Sequence, residues 1–195
     1  MNTIELLKSL LKKCIIKQNT VDGFEKYTIL DAHGPLFTVG LNKTTKKYGF
    51  GRSKIGREKL AVYGITDKNL PDYQSIYNVV KRQYQTEMVS YLFKEMIKQS
   101  EINAFESQDA DTYYTGNKIG RIFSITFDKK TKKYELKRSK MLKYLYDALD
   151  IPFDIEPDNT KELFDAAKTE YNWQVVRENV DSMYDFVPDY YDLTR

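Results

Sequence analysis

Leu36–Ile65 reads LFTVGLNKTTKKYGFGRSKIGREKLAVYGI and Ile122–Ile151 reads IFSITFDKKTKKYELKRSKMLKYLYDALDI, and the two align without a gap at an offset of 86 residues. This register brings Phe37 onto Phe123, Thr45-Lys46-Lys47-Tyr48 onto Thr131-Lys132-Lys133-Tyr134, and Arg52-Ser53-Lys54 onto Arg138-Ser139-Lys140. Outside the core it still pairs Leu6 with Leu92, Tyr27 with Tyr113, Gly34 with Gly120, and Pro71-Asp72 with Pro157-Asp158. One register held over that length is an internal repeat, and a repeat decides the architecture before any single element does. The chain of 195 residues therefore reads as two units, 1–86 and 87–172, with a tail at 173–195.

Within a unit, Ile4, Leu7, Leu11 and Ile15 stand at helical spacing with lysines between them, which predicts an amphipathic helix over Thr3–Lys17. The second copy repeats it at Val89–Lys98. Phe24–Asp31 alternates up to the turn signal His33-Gly34-Pro35, after which Phe37, Val39 and Leu41 alternate with smaller residues. Polar Lys43-Thr44-Thr45-Lys46 then makes a hairpin with a strand at Lys47–Arg52, and Ser53 N-caps a helix through Tyr63. The expected fold is α+β, two tandem α-β-β-β-α units. Ile76, Val80, Tyr84, Met88, Tyr91 and Leu92 keep a 3.6-residue period with nothing to break it between Tyr73 and Gln99, so one long helix closes the first unit and opens the second. A last helix starts at Asn159 and Glu162, with Phe164, Ala167, Tyr171, Val175 and Val180 on one side.

Hydrophobic residues at 41% and charged residues at 30% suit a folded core with a solvated surface. No apolar run reaches a membrane span and the start lacks a signal peptide's apolar stretch, so the expected location is the cytoplasm, that of a host cell if the protein is phage-encoded. The usage of Lys, Asn, Tyr and Ile is of the kind found in low-GC bacteria and their phages. A single cysteine, Cys14, excludes an internal disulfide. The net charge of +3 hides an asymmetry. Residues 1–86 hold 15 basic and 7 acidic residues, a net of +8; residues 87–172 hold 14 and 16, a net of −2; the tail holds 2 and 5, a net of −3. A basic first unit points to a polyanionic partner, and an acidic second unit and tail point to a protein partner or to shielding of the first.

The order helix, three strands, helix, with His33, Gly34, Pro35, Phe37 and Val39 leading to Gly49, Gly51, Arg52, Ser53 and Lys54, resembles the double-stranded-RNA-binding domain. The resemblance covers about 65 residues of the first unit and, more weakly, the same span of the second. It implies that Arg52, Ser53 and Lys54, helped by Arg57 and Lys59, contact phosphate at the start of the last helix, with His33 in the loop that touches a minor groove. The second copy has Glu135 and Lys137 for the glycines, Met141 beside its Lys140 and no loop histidine. The three strands, the Thr-Lys-Lys hairpin and the helix are also similar to the AP2-like arm-binding domains of phage integrases, which lay the sheet on DNA and would bring Lys46 and Lys47 forward. Both resemblances imply duplex RNA or DNA as the ligand.

Lys43–Lys59 sets seven basic residues against one acidic, the clustering that backbone binding requires. In the tail, Asp185 and Asp189 alternate with Tyr184, Phe186, Tyr190 and Tyr191, an aromatic and acidic strip suited to a protein interface. The alternative function is thus docking on a host protein such as an RNA polymerase component, for example a sigma factor, to modulate transcription. With one His and one Cys and no phosphate-binding or dinucleotide glycine motif, no catalytic constellation, metal site, cofactor or small-molecule substrate is expected.

Overall fold

The computed structural model describes residues 2–118 and 120–184, with side chains up to residue 180. The fold is α+β, and the chain divides into two compact units, Met1–Met88 and Val89–Arg195. The first consists of α1 (Thr3–Leu11), β1 (Ile15–Val21), β2 (Phe24–Asp31), β3 (Gly34–Asn42), β4 (Lys47–Arg52), α2 (Lys54–Val62) and the first half of α3 (Tyr73–Gln99). The second takes the rest of α3 and adds β5 (Glu101–Glu106), β6 (Ala110–Asn117), β7 (Gly120–Asp128), β8 (Lys133–Arg138), α4 (Lys140–Ala148) and α5 (Thr160–Tyr184). Each sheet is an antiparallel meander in sequence order.

The repeat holds in the registers. Phe37 pairs with Arg52 as Phe123 pairs with Arg138, and Tyr27 pairs with Val39 as Tyr113 pairs with Ile125. The shared Thr-Lys-Lys is explained by the hairpin it builds. Asn42 Oδ1 accepts from the backbone N–H groups of Thr44 and Thr45, Asp128 Oδ1 from those of Lys130 and Thr131, and Lys46 and Lys132 take left-handed φ of 56° and 58° to complete the turn.

Each unit has one more strand than the α-β-β-β-α reading expects. Helix α1 ends at Leu11 and buries Leu7, Leu10 and Leu11, while Ile15, placed by its spacing on the helical stripe, begins β1 and is 64% exposed. The residues that follow are β-branched or polar, and Asp22-Gly23 closes a two-residue hairpin with φ of 48° and 75°, the positive pair that this turn type demands. In the last helix the side expected to be apolar is buried at Phe164 and Ala167, yet Val175 and Val180 are exposed, because packing against the sheet stops near Gln174, whose amide accepts from the N–H of Ile102 and donates to the carbonyl of Ser100. Helix α5 runs unbroken through Trp173.

One face of each sheet is buried, and an aromatic side chain from the closing helix anchors it. Tyr77 on α3 meets Tyr27 at 5.7 Å and Tyr48 at 5.3 Å between ring centroids. Phe164 on α5 meets the repeat-equivalent Tyr113 at 5.1 Å and Tyr134 at 5.3 Å. Beside Tyr27 lies a buried carboxylate. Glu25, 2% exposed, accepts from the Tyr27 hydroxyl and stands 3.0 Å from Lys43 Nζ and 3.4 Å from Lys81 Nζ. Burial pushes its carboxyl upward, but the hydrogen bonds from Tyr27 and Lys43 and the charge of Lys81 outweigh it and hold the pKa at about 2. The second copy keeps the pairing as Asp111 with Lys129 at 2.6 Å.

The two copies differ where the helix after the hairpin meets the sheet. A Cβ on Gly56 would lie 1.8 Å from the carbonyl oxygen of Leu36, so the first turn of α2 rests directly on β3. There Ser53 Oγ accepts from Gly56 N–H and donates to the carbonyl of Pro35. In the second copy Leu142 takes the place of Gly56, Ser139 makes no side-chain cap bond, and its buried hydroxyl has no hydrogen-bond partner among the described residues.

Two outcomes are expected. Although alanine is the better helix former by about 1 kcal/mol, Gly56→Ala should destabilise the first unit by about 1–3 kcal/mol because the backbone has to move, read as faster amide exchange at Ile29 and Val39. Since the folded pKa of Glu25 lies below its unfolded value, its contribution is present above about pH 4.5 and is lost as pH falls toward about 2. Glu25→Gln should therefore cost on the order of 2–3 kcal/mol at neutral pH and flatten the acid limb of the first unit's stability curve, measured by the same exchange.

Candidate nucleic-acid interface

Strand β4 carries the chain from the hairpin to the helix, so it separates the sequence-predicted cations into two groups. Lys46 and Lys47 sit at the hairpin end. Arg52, Ser53 and Lys54 sit at the other end, beside the β2–β3 turn that carries His33, with Arg57 and Lys59 further along α2. At about 3.3 Å per residue, the six residues of β4 hold the two groups roughly 17 Å apart.

Two of the residues retained between copies, the arginine and the serine that precede the helix, are committed to the fold in the first unit. The Arg52 side chain is 16% exposed, pairs with Asp67 and lies over the Phe50 ring at 5.5 Å. Its counterpart Arg138 donates to the carbonyls of Phe153 and Ile155 and pairs with Glu156. In both copies this arginine clamps the segment that follows the helix. The Ser53 hydroxyl is spent on the cap. Lys59 is paired with Asp31 at 3.1 Å, and the His33 N–H donates to the same carboxylate. The His33 bond and the Lys59 charge hold the Asp31 carboxyl below the usual range. His33 itself is exposed in its turn.

Lys54 and Arg57 are different. Both are exposed, and neither side chain has a hydrogen bond, ion pair or ring contact among the described residues. Lys46 and Lys47 are exposed and unpaired in the same sense. The sequence reading missed two further cations because it missed β1. Lys17 on β1 and Lys26 on β2 alternate with the buried Ile16 and Glu25 and Tyr27, so they project from the uncovered face of the sheet along with Lys47. The face also carries Asn19, Thr28, Thr38, Gly40, Gly49 and Gly51, with the exposed Ile15 and Val21 on the edge strand, and the ring of Phe24 lies within 2.8 Å of where a Cβ on Gly40 would stand. Neither Asp nor Glu occupies its outward positions. The Asp22-Gly23 turn is the sequence signal that would have revealed the strand and with it Lys17.

Of the expected protein-binding strip, Tyr184 is the last residue of α5, and Asp185, Phe186, Asp189, Tyr190 and Tyr191 lie outside the described residues. Among the described residues no group of His, Cys, Asp and Glu is placed to hold a metal ion, and no helix is long and apolar enough to cross a membrane. Cys14 is a half-buried free thiol whose pKa is raised, chiefly by burial. No protein-family model, curated protein or solved structure matches this chain.

Proposed function

We propose that the first unit binds the phosphate backbone of duplex nucleic acid and that the protein is a non-catalytic, regulatory binding protein of the cytoplasm. Six cationic side chains support this reading: Lys54 and Arg57 at the start of α2, and Lys17, Lys26, Lys46 and Lys47 on the open face and hairpin, none with an acidic partner among the described residues. A cation already paired must give up its carboxylate before it can meet a phosphate, so Arg52 and Lys59 contribute less than their position implies. Unpaired surface cations, in contrast, gain from releasing the counterions condensed on the duplex. The likeness to the double-stranded-RNA-binding domain favours the α2 end, and the likeness to AP2-like domains favours the sheet face. The sheet order with an added first strand leaves both surfaces on the basic unit.

A second reading has one observation of its own. On α5, Trp173 is 58%, Val176 50% and Val180 43% exposed, an apolar stripe at spacings of three and four. Such a stripe next to an acidic tail suits helix-in-groove docking on a basic protein, for which a host RNA polymerase component is the proposed partner.

Mobility-shift titration of the full chain against duplex RNA and duplex DNA at two salt concentrations tests the first reading. Binding is expected to weaken steeply with salt, and Lys54→Ala and Arg57→Ala are each expected to lower the log–log salt slope by about 1. Stronger loss in Lys17→Ala and Lys26→Ala than in the α2 variants would assign the contact to the sheet face. Absence of any shift at low salt would sink the reading and leave protein docking.

A further inference from the structure

The open face of the second sheet holds a depression of about 520 Å³ beside the edge strand β5. Gly116 and Gly120 form part of its lining; at the equivalent places the first unit has Leu30 and Gly34. The bulkier lining comes from Tyr114, Arg121 and Phe105. The Arg121 guanidinium stacks on the Tyr114 ring at 4.1 Å and has no carboxylate partner among the described residues, although Glu101 lines the same depression. Phe105 is 61% exposed, a large apolar surface left in water. Asn103, exposed and directly across the ladder from Tyr114, offers one amide donor pair and one acceptor.

We propose that this depression receives an unpaired nucleobase of single-stranded RNA or DNA, stacked on Tyr114 and Phe105, with its edge hydrogen-bonded by Asn103 and the adjoining phosphate met by Arg121. Three features carry the assignment. Aromatic side chains presented on the flat face of a four-stranded sheet, with an arginine plane beside them, are the surface on which splayed bases stack. The site is a depression on the sheet face, and its volume lies in the ordinary range for ligand sites. The net charge of −2 over residues 87–172 and the nearby Glu101 work against a purely electrostatic grip, so stacking is the main source of affinity in this proposal. The outward positions of the first unit that match Phe105 and Tyr114 are Asn19 and Thr28, so this capacity belongs to the second copy alone. The inference is independent of duplex binding by the first unit.

The test is fluorescence-anisotropy titration of the full chain with a short labelled oligouridylate and with oligothymidylate, each repeated at low and high salt. Salt is expected to weaken binding through Arg121 and the cations of the first unit, while the ratio between the unmodified chain and the ring variants stays nearly the same at both salt concentrations. Tyr114→Ala and Phe105→Ala are each expected to weaken it about 5- to 150-fold, the range for loss of one base–aromatic stack, while Tyr114→Phe retains it. Both side chains face outward, and an unchanged thermal melt of the Tyr114→Phe and Phe105→Ala variants certifies the fold. Preference for one oligonucleotide assigns RNA or DNA. Failure of the unmodified chain to bind either strand overturns the proposal, as does equal binding by the alanine variants. A loss confined to Lys54→Ala would move the single strand to the first unit and equally overturn it. Loss of duplex binding alone would count only against the first-unit reading.

Discussion

A single aromatic side chain delivered by the closing helix determines what each unit can do. Tyr77 in the first unit and Phe164 in the second land between two tyrosines of the sheet, Tyr27 with Tyr48 and Tyr113 with Tyr134. Aromatic groups bury more area than any other side chain and prefer the tilted and edge-on geometries found here, so this contact selects one face of a two-faced sheet as the interior. Because side chains alternate across a strand, choosing the inner face assigns every remaining position to the outer one.

That partition explains why the repeat is visible at all. The cross-strand row Ile16, Ile29, Phe37 and Arg52 faces inward and corresponds to Ile102, Thr115, Phe123 and Arg138, with three of the four identical. The outward row Lys17, Thr28, Thr38 and Gly51 corresponds to Asn103, Tyr114, Ser124 and Lys137, with none identical. Packing constrains the first row in both copies, since a buried side chain has to fit its neighbours to within a methylene. Solvent constrains the second row very little. The lysine of that row stands on the edge strand β1 in one copy and on β8 in the other, and only the second copy places an aromatic ring, Tyr114, in the row.

The parts of the fold legible in the sequence are those fixed by local chemistry. The Asn42 and Asp128 turns, the Ser53 cap and the period of α3 each depend on residues within a few positions of one another, and each emerges where expected. Strand β1 did not, because Ile15 happens to continue the i, i+4 spacing of Leu11; only the Asp22-Gly23 turn, and the pairing it permits with β2, distinguishes a strand there. The candidate site was legible in part for the same reason. Arg52 and Ser53 carried the strongest motif signal, and that signal was structural: the arginine clamp recurs in both copies, while the serine hydroxyl caps the helix in the first copy alone. Whether a lysine is free or paired depends on contacts such as Asp31 with Lys59, 28 residues apart in sequence, and no local pattern encodes them.

The shared motifs thus hold two kinds of residue: Arg52 and Arg138 clamp the fold, while Lys46, Lys47 and Lys54 recur as Lys132, Lys133 and Lys140 with no ion pair among the described residues. A residue conserved between two copies in a single sequence has survived under whatever the copies have in common, and here that is a sheet packed against an aromatic on a helix. A ligand common to both would have preserved outward residues as well; Lys47 recurs as Lys133, whereas Lys17, Lys26 and Thr28 become Asn103, Thr112 and Tyr114. The outward cations Lys17 and Lys26 lie on the copy with glycines at Gly40, Gly49 and Gly51, of which Gly40 is covered by the ring of Phe24. The second copy has Thr126, Glu135 and Lys137 at those places. On the proposed readings, a phosphate backbone would come closest to the sheet at Gly49 and Gly51, and a base would meet the rings of Tyr114 and Phe105. The rings of the second copy stand at the places of Asn19 and Thr28 on β5 and β6, and the lost glycines lie on β7 and β8, so the two changes arose at separate positions of the outer face.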